Sequence, residues 1–158
     1  MKVVVQRVKE SSVVIDGKVN GYINKGLVLF VGFTEGDNIE DIEKLAKKVV
    51  NLRIFDDENG VMNKSILDIE GEILSISQFT LYGDAKKGNR PSYIKALNGN
   101  EATKLYDLFN EELRKYSIKV DTGIFGADML VNIKNDGPVT IWLESRESWL
   151  EEIKLILN

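Results

Sequence analysis

A chain of 158 residues with 21 Lys+Arg, 25 Asp+Glu and neither cysteine nor histidine is barred from a good deal of chemistry. It has no disulfide, thiolate nucleophile, Ser-His-Asp triad or ordinary zinc site, so proton transfers fall to carboxylates, Lys, hydroxyls, backbone, water or substrate; only an all-oxygen magnesium or calcium site stays open. A net charge of −4 argues against generic nucleic-acid binding but leaves room for a local basic patch.

The first residues, Met1-Lys2-Val3-Val4-Val5-Gln6-Arg7, lack the long apolar region and small-residue cleavage site of a signal peptide, so a cytoplasmic address is expected. Val3, Val5 and the Val13-Val14-Ile15 run read as a strand, with Asp16-Gly17 as a hairpin turn behind it. Residues 26–33 (Gly-Leu-Val-Leu-Phe-Val-Gly-Phe) form a continuous apolar run of strand length, expected to be buried on both faces. After Asp37, the residues Ile39, Ile42, Leu45, Ala46, Val49 and Val50 recur at helical spacing. Glu40 and Asp41 fall in the first turn and Lys47-Lys48 near the end, as the helix dipole favours.

Residues 71–81 return to a strand pattern, with Ile73, Ser75 and Ser77 alternating against Leu74, Ile76 and Gln78. A second helix, from near Asn100, sets Ala102, Leu105, Tyr106, Phe109 and Leu113 on one stripe. Three strands follow, around residues 118–122, 129–134 and 139–143. The tail has a capping-box spacing, Ser148 with Glu151, ahead of Ile153 and Ile156. It predicts a short helix over about residues 148–157 that must dock on something to persist. No apolar run approaches the roughly 20 residues of a membrane helix, so no membrane partner is expected. No repeat or linker divides the chain. One mixed α/β domain over residues 1–158 is the expectation.

Only two prolines occur, Pro91 and Pro138, and both lie in polar loops beside distinctive segments. Ser77-Gln78-Phe79-Thr80-Leu81 is a strand end rich in hydroxyl and amide groups. Such groups either form a site or simply satisfy the backbone where the strand turns. The loop that follows carries Lys86, Lys87, Arg90 and Lys95 and no acid over residues 85–100. It reads as a phosphate-positioning surface or as a solvated loop. Asn135-Asp136-Gly137-Pro138-Val139-Thr140 is first of all a hairpin signal, although proline directly after glycine removes a donor where a strand should begin. Phe125 and Met129, four apart among small residues, suit either core packing or a flat apolar slot for a ring.

Taken together, these segments resemble the D-aminoacyl-tRNA deacylase (D-tyrosyl-tRNA deacylase) family. The Ser77–Leu81 and Asn135–Thr140 motifs are its two signatures. Gln6-Arg7-Val8, Lys87-Gly88-Asn89-Arg90-Pro91-Ser92 and the stretch from Thr122-Gly123 to Met129 fit around them in order. The resemblance spans Met1 to about Ser145. It departs at Leu97-Asn98-Gly99, which lacks prolines often seen ahead of the second helix, and it leaves the tail uncovered.

The resemblance implies a largely antiparallel mixed sheet curled into a partly open barrel, with two packed helices and the short C-terminal helix. It implies a homodimeric hydrolase that cleaves the ester between a D-amino acid and the 3′-terminal adenosine of tRNA, accepting glycine as well. No cofactor, metal or DNA is implied. Ser77, Gln78, Phe79 and Thr80 would be catalytic. Gly137 and Pro138, as a Gly-cis-Pro pair from the partner subunit, would exclude L-amino acids, and Arg7 would anchor their loop. Phe125 and Met129 would line the adenosine pocket, and Lys86, Lys87 and Arg90 would meet tRNA phosphate.

An aminoacyl ester on ribose is already activated, and the vicinal 2′-OH lies within reach of its carbonyl. Backbone N–H groups around Phe79 and Thr80 are expected to face the developing oxyanion, each such donor being worth on the order of 10²–10³ in rate. Gln78 could orient the ester or water. Thr80 has no imidazole to deprotonate it, so a positioning role is preferred to a nucleophilic one. Three other readings compete: a different tRNA-editing activity, a non-catalytic RNA-binding protein, and a Ser/Thr hydrolase with a Lys base.

Overall fold

A computed structural model describes residues 1–146 together with residues 156–157. The expected C-terminal helix over 148–157 lies outside the described residues, apart from Ile156 and Leu157. Strand β1 (Lys2–Ile15) turns through Asp16 and Gly17, both at positive φ, into β2 (Lys18–Ile23), and β3 (Gly26–Gly32) follows. Helix α1 (Ile39–Asn51) leads through a small hairpin, β4 (Phe55–Asp56) and β5 (Met62–Lys64), to β6 (Glu72–Ser77). A four-residue 3-10 turn (Phe79–Tyr82), helix α2 (Gly99–Arg114), β7 (Val120–Thr122) and β8 (Leu130–Glu144) complete the described order.

The long β1 organises the sheet. Its first half pairs antiparallel with β3, its second half with β2, and almost its whole length with β8 along the other edge. Beyond β3 the sheet turns parallel, through β6 to β7. β2 then leans back toward β7. The amide of Asn20 donates to Thr122 O at 2.8 Å and the Tyr22 N–H to Asp121 Oδ2 at 2.9 Å. These bonds draw the sheet into a nearly closed barrel.

Apolar alternation sends side chains to two cores. The interior of the barrel holds Val8, Val13, Ile23, Val28, Leu74 and Ile76. On the outer face, Val3, Val5, Leu27, Leu29 and Ile73 pack under α1 and α2, with Ile42, Val49, Phe109 and Leu113 fully buried between. Because β3 serves both cores, its uninterrupted apolar run is required, as expected of a strand covered on both faces. Helix α1 starts where Asn38 and Asp41 form a reciprocal capping box.

Two expectations are corrected. The strand over residues 71–81 ends at Ser77, because β3 ends at Gly32 and no neighbouring strand among the described residues continues the ladder. The Asp-Gly hairpin between two strands does not form. Residues 130–144 are one strand, and both its halves pair with β1 rather than with each other. Gln6 faces Thr140 and Val8 faces Asn135, so residues 136–139 bulge out opposite Arg7 alone.

Candidate active site

Ser77 is the last rung of β6, opposite Val31, and the Gln78 N–H still reaches Val31 O at 2.8 Å. The chain then curls. Leu81 N–H bonds to Gln78 O at 3.3 Å and Gly83 N–H to Thr80 O at 2.9 Å. A helical turn leaves its first N–H groups without acceptors of its own. That of Gln78 is taken by β3, whereas those of Phe79 and Thr80 donate to no acceptor among the described residues. The turn can pack this closely only because Gly32 lies beneath it. A Cβ there would stand 2.9 Å from Gln78 O and 3.2 Å from Leu81 Cβ.

Ser77, Gln78 and Phe79 share a cleft of about 290 Å³ with Phe125 and Met129. Phe30, Ile76 and Val131 supply further apolar wall, and Asp128 is the one ionisable residue in the lining. Phe125 leans on Tyr106, ring centroids 6.0 Å apart, and the buried Tyr106 hydroxyl donates to Ser75 O at 2.7 Å. Helix α2 is thereby tied to the strand that ends in the site. Gly123 makes room for the thioether, since a Cβ there would overlap the Met129 sulfur. Thr80 does not line this cleft. It is exposed, and its hydroxyl accepts a hydrogen bond from Gln78 Nε2. Phe79 is 55% exposed and meets Tyr93 edge-on at 5.1 Å.

Arg7, buried in β1, reaches into the bulge of β8. Its Nε donates to Asp136 O at 3.0 Å and its Nη1 to Ile54 O at 2.7 Å, with Asp56 Oδ1 3.5 Å away. Gly137 has φ +120°, and a Cβ would come within 3.0 Å of both Arg7 Nη2 and Val139 Cγ2, so only glycine fits. The Gly137–Pro138 peptide bond is cis, and both residues are exposed. Neither lines the cleft that holds Ser77.

Asp84 and Ser92 exchange both backbone hydrogen bonds at 2.8 Å and so close the basic loop. Lys86, Lys87 and Arg90 are exposed on it and make no ion pair among the described residues. Asp84 ionises more readily than an ordinary carboxyl, held first by the Lys86 backbone N–H and then by the charges of Lys86 and Lys95.

Sequence reasoning missed Gly32, Tyr93 and the partners of Arg7 on the β4 segment. A cation in the middle of a valine-rich strand was the one signal of a buried anchor, and it does not say what it anchors to.

A family profile described as D-Tyr-tRNA(Tyr) deacylase matches residues 4–144. A protein of Clostridium novyi (strain NT) named D-aminoacyl-tRNA deacylase is 58% identical over 149 residues, covering 94% of this chain and 100% of the relative. A protein of the same name from Clostridium acetobutylicum is 55% identical, covering 93% of this chain and 99% of the relative. Among solved structures, one titled c-Myc DNA Unwinding Element Binding Protein superimposes with a TM-score of 0.87 at 42% identity, covering 93% of this chain and 100% of that one. Another, of a probable eukaryotic D-amino acid tRNA deacylase, has a TM-score of 0.77 at 18% identity and shares the fold.

Proposed function

The chain belongs to the D-Tyr-tRNA(Tyr) deacylase family, and from that premise we propose that it hydrolyses D-aminoacyl-tRNA to free D-amino acid and tRNA. What carries this reading is the pair of unengaged N–H groups on Phe79 and Thr80, at the rim of a cleft that joins Ser77 and Gln78 to Phe125 and Met129. The terminal adenine lies against Phe125 and Met129. The ester carbonyl then points at the turn, where fixed backbone donors receive the negative charge that develops as water attacks.

The cleft lining contains no basic side chain, and neither Lys86 nor Lys87 belongs to it. Gln78 positions the ester or the water, with Thr80 bracing its amide. The vicinal 2′-OH of the ribose assists the proton transfer that an imidazole would otherwise perform. Water adds to the carbonyl, the ester C–O bond breaks, and the leaving ribose oxygen takes up a proton.

Selection against L-amino acids is assigned to Gly137 and Pro138 of a second subunit, as the family resemblance implies, and their exposure outside the cleft of their own chain is compatible with that role. The active unit is therefore a homodimer. Excluding a side chain by a wall is a steric task, so glycine, which has none, is also removed when mischarged on tRNA. Lys86, Lys87 and Arg90 hold tRNA phosphate. The scheme uses no cofactor, metal or DNA, and a cytoplasmic address goes with its substrate.

The test is paired deacylation of D- and L-tyrosyl-tRNA and of glycyl-tRNA, with sedimentation of the same preparation. Rapid loss of the D- and glycyl esters, sparing of the L-ester and a dimeric mass are expected. RNA binding without hydrolysis would replace the enzyme by a binding protein. Turnover of small esters that lack the adenosine would point to a lysine-based hydrolase, and active monomers would remove the shared site.

A further inference from the structure

We propose that Lys2, Lys86 and Lys95 form a pocket for the phosphodiester that precedes the terminal adenosine of the substrate, an inference that rests on the deacylase reading above. A hollow of about 420 Å³ opens where the 3-10 turn ends, lined by Lys2, Tyr82, Gly83, Asp84, Lys86 and Lys95. Three ammonium groups and one carboxylate leave a surplus of two positive charges there, on a chain whose net charge is −4.

The lysines have donors to spare. Lys2 Nζ stands over the Tyr82 ring, 4.5 Å from its centroid, and 5.3 Å from that of Trp142. Its hydrogen bond is to Leu81 O, at 3.4 Å, and it makes no ion pair among the described residues. An ammonium carries three N–H donors, so at least two remain for a ligand. Lys95 Nζ is 3.8 Å from Asp84 Oδ2, a loose pair, and the Lys86 ammonium makes no ion pair among the described residues. Asp84 is itself tied by the Lys86 backbone N–H at 3.0 Å, so its role is to hold the loop over the hollow.

Location then selects the ligand. Lys2 bonds the carbonyl of Leu81, in the same 3-10 turn whose first residue, Phe79, lines the proposed ester-binding cleft. An anion on Lys2 thus sits one short turn from the reacting ester. That is the relation a nucleic-acid phosphate bears to the next ribose along the strand. Lys87 and Arg90 are exposed and do not line this hollow, so their contacts would fall further from the ester. Lys2 supplies the fixed member because two aromatic rings confine it, whereas Lys86 and Lys95 come from the loop.

The experiment measures kcat and KM for Lys2→Gln, Lys95→Gln and Lys2→Arg on two substrates, D-tyrosyl-tRNA and the D-tyrosyl ester of adenosine, which has no phosphate. Each Gln variant is expected to raise KM for the tRNA about five- to tenfold and to lessen the log–log salt dependence by about 0.7–1. Its kinetics on the adenosine ester should stay within about twofold of the parent, since phosphate contacts position without touching the base. Lys2→Arg should recover most of the tRNA KM, and Lys18→Gln on β2 serves as a distant control.

Unchanged tRNA KM and salt slope in both Gln variants would overturn the proposal. So would equal losses on both substrates, which mark a structural role. Titration of inorganic phosphate onto Lys2 with no change in tRNA kinetics would reassign the hollow to small anions and overturn it too. If the parent hydrolyses neither substrate, the deacylase reading fails. Binding of uncharged tRNA, with or without dependence on Lys2, then decides the pocket separately.

Discussion

The turn after β6 and the bulge in β8 both interrupt a regular strand, and they are built in opposite ways. The turn releases donors: Gln78 spends its N–H on β3, and those of Phe79 and Thr80 bond no acceptor among the described residues, in a turn whose first residue, Phe79, lines a cleft of the same chain. The bulge consumes donors: Arg7 is drawn in to bind Asp136 O and Ile54 O, which leaves Gly137 and Pro138 outside, exposed and away from that cleft. Stabilising charge can thus be done by backbone that folding leaves unpaired. Under the proposed function, excluding a side chain would need a wall that does not yield, and the buried Arg7 guanidinium ties down the loop assigned to it.

The sharpest way to break the comparison is on the turn side. If backbone donors suffice without a side-chain base, the substrate hydroxyl must matter. D-Tyrosyl-tRNA ending in 2′-deoxyadenosine should therefore be cleaved at least about a hundredfold more slowly in single-turnover assays, comparable to losing one oxyanion donor. Equal rates would remove the hydroxyl from the mechanism.

Next is the bulge. Arg7→Met leaves two carbonyls without a charged donor and should cost about 2–3 kcal/mol in urea unfolding. In the surviving folded protein, discrimination between D- and L-tyrosyl-tRNA should fall, while Lys at the same position recovers only part of it. Unchanged discrimination would mean that the bulge holds its shape without Arg7.

Smaller effects separate the cleft from the turn. Gly123→Ala should push the flexible Met129 side chain into the cleft, raising KM several-fold while costing only about 1 kcal/mol of stability. A drop in kcat alone would place Met129 elsewhere in the reaction. Thr80→Ala should retain kcat within about fivefold of the parent, because the hydroxyl braces Gln78 and does not line the cleft. Complete loss with binding intact would make Thr80 the nucleophile.

The mildest effect is on pH. Burial pushes the Tyr82 and Tyr106 phenols up, although Tyr106 also bonds Ser75 O. A raised folded pKa favours the protonated native state. That stability is fully present below the unfolded value of about 10 and is lost as pH rises from there toward the folded values. Melting temperatures should decline above about pH 10, and Tyr106→Phe should lessen the decline.

Much of this was legible beforehand, and the places that were not share a cause. Ile42, Leu45, Val49 and Val50 announce α1 by spacing alone, and the Asp16-Gly17 turn needs only two residues able to take positive φ. Residues 78–81 continue the alternation of a strand, yet they leave it where the ladder with β3 ends, with no further strand to pair with among the described residues. Asp136-Gly137 has the chemistry of a hairpin, yet β1 is long enough to pair with both flanks and overrides it. Ser77, Gln78, Phe125 and Met129 could be named as candidates, but their meeting in one cleft depends on β7 lying beside β6 and on Gly123 leaving space for a thioether.

By itself, then, the sequence excluded imidazole and thiol chemistry, set the helices and most strands, and carried the ordered motifs of its family. Those are local properties, written in composition and in the spacing of neighbouring side chains. The tertiary structure alone decided where β6 stops, which strand the two halves of β8 join, that Arg7 binds Ile54, and that Lys2 faces the same hollow as Lys86 and Lys95. Each of these depends on which distant segment occupies the adjacent space. A backbone donor is free, or a cation unpaired, only with respect to everything folded around it.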